Sequence, residues 1–276
     1  MELTRSSTFN MYRLLALDLD GTLLTPQHVI TPRTTAFLHK AVDAGMTLVI
    51  ATGQTLNVLR VVCAELPLKG PQIIYNGAVI ADMHTGQPVY ERLVPDERIL
   101  PTLDLLRQFD LHKVYHTHEH VYVDSETPNA RNWYRPPVPP AIEVPDVVSI
   151  YPQPCVKLVG VGEPATLREK REALERLLAK QLYVTQASSD LLEFLHPEVS
   201  KGHALMTLTR MLDIEPTEVI AIGDNHNDIG MLQFAGLGIA MGNAHDEVKN
   251  VADHVTRRNS EEGVAVALEE LVLPLL

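Results

Sequence analysis

At 276 residues the chain exceeds one average domain and can bury a large core with a smaller module attached. A formal charge of −12, with 35 acidic against 23 basic residues and no Lys/Arg-rich run, argues against a nucleic-acid partner. No run reaches the roughly 18 apolar residues of a membrane span, and the two cysteines, Cys63 and Cys155, stand outside any CxxC pair, which fits a reducing cytoplasm.

The polar start MELTRSSTFN lacks the apolar centre of a secretory signal. Met11 opens a segment that would make a complete first strand, so residues 1–10 are expected to be disordered or to stem from an upstream start codon. Tyr12–Leu17 reads as a short buried strand that runs into Asp18, Asp20 and Gly21. Thr31-Pro32 marks a helix start, and Ala44-Gly45 its end. Thr47–Ala51 is a second buried strand ending in Thr52-Gly53; Gln54–Leu66 has helical spacing; Gln72–Tyr75 is a third strand before Asn76-Gly77. Strand alternating with helix in this way implies a parallel sheet with crossover helices.

That rhythm returns only near the end. Lys201–Leu212 is helical, Val219–Ile222 a strand, Asn227–Ala235 helical, Leu237–Ala240 a strand, and His245–Ala252 and Glu261–Leu273 are helices. Between the halves lie strand-like Val121–Val123, a proline-rich loop at Arg135–Pro140, a charged helix at Ala165–Lys180, and strand candidates at Leu182–Gln186 and Leu191–Leu195. The reading is an α/β domain (1–87 and 197–276) carrying an inserted α+β module (88–196).

Four predicted strands end in polar residues: Asp18–Asp20, Thr52-Gly53, Asn76-Gly77 and Gly223-Asp224. Ligands bind beyond the carboxyl ends of the strands in an open parallel sheet, so these tips are expected to meet. With Lys201 added, the set holds carboxylates, a hydroxyl, an amide and one ammonium, which suits phosphoryl chemistry on a magnesium ion. A local cation would also reverse the unfavourable field that a chain of this charge presents to an anionic substrate.

In this order, DLDGTLL (18–24), ATG (51–53), SKG (200–202) and GDNHND (223–228) resemble the four motifs of the haloacid dehalogenase superfamily. The insert, NGA at 76–78 and MGNA at 241–244 resemble its Cof-type branch, and the likeness spans residues 12–273. The resemblance implies a Rossmann-like α/β core with a parallel sheet and an inserted α+β cap. It also implies a magnesium-dependent phosphatase working through an aspartyl-phosphate. Asp18 would then be the nucleophile, and Asp20 the general acid and later the base. Thr52, Gly53, Lys201 and Asn227 would hold the phosphoryl oxygens. Asp18, Asp224 and the Asp20 backbone carbonyl would hold Mg2+, with Asp228 supporting the metal site. Gly21 would let the chain turn sharply, with the Thr22 hydroxyl holding the turn. Sugar phosphates, flavin mononucleotide and pyridoxal phosphate are the implied substrates of the branch. A small phosphorylated metabolite is thus the expected partner of a cytoplasmic monomer or small homo-oligomer.

One departure stands out: the second motif usually continues to Arg, and here Gln54 follows Gly53. An amide does not bind anions bidentately, so either affinity for a second charged group on the substrate or a contact of such an arginine with the cap is expected to be lost, while chemistry at phosphorus is expected to survive on Thr52 and Lys201. Plainer roles exist for the motif residues. Asp-Gly pairs form turns, lysines usually lie on the surface, and Asp224–Asp228 could be an Asx-rich turn in which Asn227 also caps the next helix. Alternating His116, His118 and His120 would share one strand face like zinc ligands, but no cysteine or fourth ligand accompanies them, so a polar or substrate-facing surface is expected. Trp133 reads as a buried loop anchor. The alternatives in function are a phosphomutase or phosphotransferase on the same scaffold, and a non-catalytic sensor of a phosphorylated metabolite.

Overall fold

The computed structural model describes residues 12–125 and 140–275. The expectations for residues 1–10, for Trp133 and for most of the proline-rich loop lie outside the described residues.

The chain opens with β1 (Leu14–Leu17), α1 (Pro32–Asp43), β2 (Thr47–Ile50), α2 (Leu56–Val62) and β3 (Pro71–Ile74). All four residues of β1 are buried. Leu15 and Leu17 enter one apolar cluster and Leu14 and Ala16 another, so the strand is covered on both faces and reads as a continuous apolar run. Local chemistry sets the limits of α1. The Thr31 side chain accepts from the Thr34 N–H, Pro32 fills the first turn, and Gly45 leaves the helix at φ +101°. α2 is shorter than the predicted 54–66, because Thr52–Thr55 is spent on a loop over the strand tips before Thr55 caps the helix.

After β3 the chain turns through Tyr75–Gly77 into β4 (Val79–Asp82) and β5 (Pro88–Glu91), a small antiparallel sheet in the order β3-β4-β5. One parallel bridge, Ala51 to Ile73, joins it to β2. Next come α3 (Asp96–Gln108), β6 (His112–His116), β7 (Val121–Asp124), β8 (Ile142–Val144), β9 (Lys157–Val161), α4 (Pro164–Leu177), β10 (Tyr183–Ser188) and β11 (Leu191–Leu195). Their strands form a six-stranded, mostly antiparallel sheet in the order β10-β11-β9-β6-β7-β8. Tyr115, Leu158, Leu192 and Phe194 pack on one face with Ile99 and Leu103 of α3 and Leu167 and Leu174 of α4. By strand alternation His116, Lys157 and Glu193 belong to the opposite face.

The chain then returns through α5 (Lys201–Met211), β12 (Val219–Gly223), α6 (Ile229–Phe234), β13 (Leu237–Ala240), α7 (Asp246–Lys249), β14 (His254–Val255) and α8 (Gly263–Ala267). The five-stranded sheet β14-β13-β12-β1-β2 is parallel throughout, with β1 between β12 and β2. The architecture is thus the α/β core with a parallel sheet and inserted α+β module that the sequence implies. Pro88–Glu91, placed in the insert by its sequence, pairs with β4; on that pairing we propose that the first passage between the two bodies runs through 92–95.

Candidate active site

β1 and β12 run side by side, and the Asp18 N–H donates to Ile222 O at 3.0 Å, so the first motif and Gly223-Asp224 emerge together. Gly21 turns the chain at φ +86°, where a Cβ would collide with the Asp224 carboxylate. Both the backbone angle and the space demand glycine. The expected brace of this turn by the Thr22 hydroxyl is not what forms; the hydroxyl donates to Asp224 Oδ1 at 3.0 Å and so holds the other motif. Asn243, from MGNA, donates to Gly21 O at 2.9 Å and to Asp224 Oδ2 at 3.3 Å.

Lys201 opens α5, whose first turn is capped by Ser200. It is fully buried, with Nζ 2.5 Å from Asp18 Oδ1 and 2.7 Å from Asp228 Oδ1. Gly202 makes this depth possible: a Cβ there would lie 2.6 Å from the Gly230 carbonyl carbon on the neighbouring helix. Asp228 has no exposed surface, and its Oδ2 accepts the N–H groups of Asp224 (2.9 Å) and Asn225 (3.0 Å). Capping of the short helical turn at 226–228 thus falls to Asn225 and Asp228 rather than to Asn227.

Carboxylate oxygens of Asp18, Asp224 and Asp228 lie within 4.8 Å of one another. Three acidic groups therefore surround one ammonium. Burial opposes the Lys201 charge, but Asp18 and Asp228 outweigh it and push its pKa up. Burial raises the Asp18 carboxyl, Asp228 raises it further, and Lys201 offsets only part of this. Asp224 is raised in the same way, by burial and by Asp228. An all-oxygen set with uncompensated negative charge fits a hard divalent cation such as Mg2+. Asp228 has no exposed surface and is tied to Lys201 and two backbone N–H groups, so it stands behind Asp18 and Asp224, the carboxylates nearer the surface of the cluster.

Asp20 stands outside that cluster and accepts from Gln54 Nε2 at 3.0 Å. Thr52 is buried; its N–H goes to Ile73 O, and its Oγ1 accepts from the Gln54 N–H at 3.1 Å, leaving the hydroxyl proton for a ligand. Over these tips lies a cavity of about 1180 Å³, with Asp18, Thr52 and Lys201 on the core side and His116, Lys157 and Glu193 on the insert side. Asp20, Gly53 and Asn227 line it as well.

The three histidines do not share one face. β6 ends at His116, and Thr117–His120 is a turn in which the Thr117 N–H donates to His120 O. His116 lines the cavity, His118 Nε2 pairs with Glu91 at 2.8 Å, and His120 lies edge-on to Tyr122. Two further participants, Lys157 and Glu193, do not follow from the sequence reading, and Asn76, legible as a strand tip, gains a role only through them. Asn76 accepts from Asn227 Nδ2 at 2.9 Å and donates to Glu193 Oε2 at 2.9 Å, and Lys157 Nζ lies 2.5 Å from Glu193 Oε1. The signal for the charge pair is a lone charge within an apolar run, as in CVKLVGV and LLEFL.

A family model for haloacid dehalogenase-like hydrolases matches residues 15–268. The chain is 34% identical to YxeH of Bacillus subtilis over 279 residues, covering 95% of this chain and 99% of that protein. It is 32% identical to YcsE of Bacillus subtilis, a 5-amino-6-(5-phospho-D-ribitylamino)uracil phosphatase, over 95% of this chain and 96% of the other. A crystal structure of a haloacid dehalogenase-like hydrolase from Bacteroides thetaiotaomicron superposes with TM-score 0.83 at 30% identity, covering 94% of this chain and 99% of that one. The chain belongs to the haloacid dehalogenase superfamily, in its Cof-type branch. It is a phosphatase of that family, a phosphoric monoester hydrolase.

Proposed function

We propose that the protein is a magnesium-dependent phosphatase of small soluble phosphomonoesters, acting in the cytoplasm through an aspartyl-phosphate on Asp18. The observation that carries this reading is the meeting of Asp18 and the Lys201 ammonium, 2.5 Å apart, on the floor of one cavity, with the Asp224 carboxylate within 4.8 Å of that of Asp18. Asp18, already ionised when the ammonium and a cation flank it, attacks phosphorus, and the ester oxygen departs with a proton from Asp20. Water, deprotonated by Asp20, then releases phosphate. The Thr52 hydroxyl, the Gly53 backbone, Lys201 and Asn227 hold the phosphoryl oxygens. Asp18, Asp224 and the Asp20 backbone carbonyl would hold Mg2+, with Asp228 fixing the loop behind them; when bound, the ion offsets charge on the phosphoryl group and its nucleophile.

The insert acts as a cap that closes over the cavity, excludes bulk water and selects the leaving group. Two relatives support substrates of this size: YcsE acts on a phosphoribityl compound, and YbhA of Escherichia coli, 29% identical over 92% of this chain, is a pyridoxal phosphate phosphatase. The test is an initial-rate screen over phosphorylated metabolites with magnesium and with EDTA. Release of phosphate that depends on magnesium is expected. Release unaffected by EDTA would contradict the metal assignment, and no release from any phosphomonoester would contradict the reading as a whole.

A further inference from the structure

The contacts above Asn227 form a chain with a direction. The Lys157 ammonium can only donate, and it donates to Glu193 Oε1 at 2.5 Å. The other oxygen of that carboxylate, Oε2, can only accept, and it takes a proton from Asn76 Nδ2 at 2.9 Å. This fixes the Asn76 amide with its oxygen toward Asn227, whose Nδ2 donates to it at 2.9 Å. The core asparagines thus take their orientation from a charge pair on the cap sheet. Lys157 and Glu193 are 5% and 6% exposed, so water competes little for these bonds.

The loop bearing Asn76 is itself built under strain. Tyr75, Asn76 and Gly77 have φ of +51°, +57° and +96°, and the Asn76 N–H is pinned to Thr52 O at 2.9 Å. Two successive non-glycine residues in the left-handed region persist only where their surroundings over-determine them.

We infer that Glu193 of the cap is a positioning residue that, through Asn76, sets which way the Asn227 amide points. This rests on the proposed role of Asn227 at the phosphoryl group. In the observed direction the atom beside Asn76 is a nitrogen, with a second N–H to offer phosphoryl oxygens. In the reversed direction that atom is an oxygen, whose lone pairs repel them. Because Glu193 belongs to the cap and Asn76 to the core, the orientation is imposed only while the cap is seated.

The isosteric variant E193Q tests this. Lys157 keeps its bond to the oxygen of the substituted side chain, so the new amide nitrogen faces Asn76. The Asn76 amide must then turn, and the Asn227 amide with it. The double variant N76D/E193Q restores the direction. Its new carboxylate at position 76 accepts from the new amide at position 193 on one oxygen and from Asn227 on the other. The expected result is a fall in kcat/KM of about tenfold or more for E193Q, the scale of one misdirected charge-assisted hydrogen bond, with recovery to within about threefold of the unmodified enzyme in the double variant.

Wild-type rates in E193Q, or a double variant no better than E193Q, would overturn the inference. A neutron structure of the unmodified protein gives a reading free of both folding and activity. Deuterium on Asn227 Nδ2 directed at Asn76 Oδ1 is expected, and the opposite arrangement would overturn the inference. If the enzyme released phosphate from no ester, the phosphatase reading would fall, while the deuterium positions would still decide the direction of the chain.

Discussion

Asp18 shows how one side chain can serve several demands: it sits at the end of an apolar strand, it is 5% exposed, and its Oδ1 is held by Lys201. Asp18→Asn removes the proposed nucleophile while preserving shape, so turnover should vanish with the melting curve nearly unchanged; near-normal rates would rule out the proposed mechanism. Asp20→Asn should slow turnover by roughly 10² or more through loss of proton transfer. Gln54 changes meaning once its contacts are known. Its departure from the usual arginine suggested weaker binding of a second anionic group on the substrate, but its amide is spent on Asp20 Oδ2. Gln54→Ala should therefore slow a simple aryl phosphate and larger substrates alike. An effect confined to substrates with a second anion would restore the earlier reading.

Among elements, the core was legible because its strands are buried on both faces and end in chemical residues, as in LLALDLD and TLVIATG. The cap was less so, for stated physical reasons. α3 contains Pro101, which breaks the helical reading. β6 and β9 carry Lys113, His116 and Lys157, polar residues facing ion pairs or the cavity that mask the apolar alternation. Glu193 and Lys157 make sense only as partners, and no spacing in one chain shows that 157 and 193 lie on adjacent strands.

His116 carries a prediction at this scale. Burial, and then Lys157, hold its pKa well below the usual 6.5. Below about pH 6.5 the unfolded chain therefore binds a proton that the folded chain refuses, and stability falls as pH falls. Denaturant unfolding at about pH 7.5 and about pH 5.5 should show the wild type losing roughly 1 kcal/mol more than His116→Gln. Equal losses would mean that the buried imidazole does not set this dependence.

For the molecule as a whole, segments at 18–20, 52–54 and 224–228 meet because β1 lies between β12 and β2 and their ends point the same way, while the Ala51–Ile73 bridge brings in residue 76 and the start of α5 brings in residue 201. That convergence was readable from motif order; the cap's grip on the core through Glu193 and Asn76 was not, since Glu193 belongs to no motif and nothing in its own segment names its partner. The excess negative charge of the site predicts that magnesium raises the melting temperature relative to EDTA, by linkage to the folded state. Asp224→Asn should lose that increment, and an equal increment in the variant would place the ion elsewhere.

A carboxylate attacking phosphorus leaves a covalent mark, and catching it is the sharpest experiment. Enzyme quenched in acid during turnover, reduced with borohydride and mapped by peptide mass spectrometry should be modified at residue 18 and nowhere else. Modification of a histidine or of another acidic residue, or turnover with residue 18 unmarked, would show that these tips converge for a different chemistry.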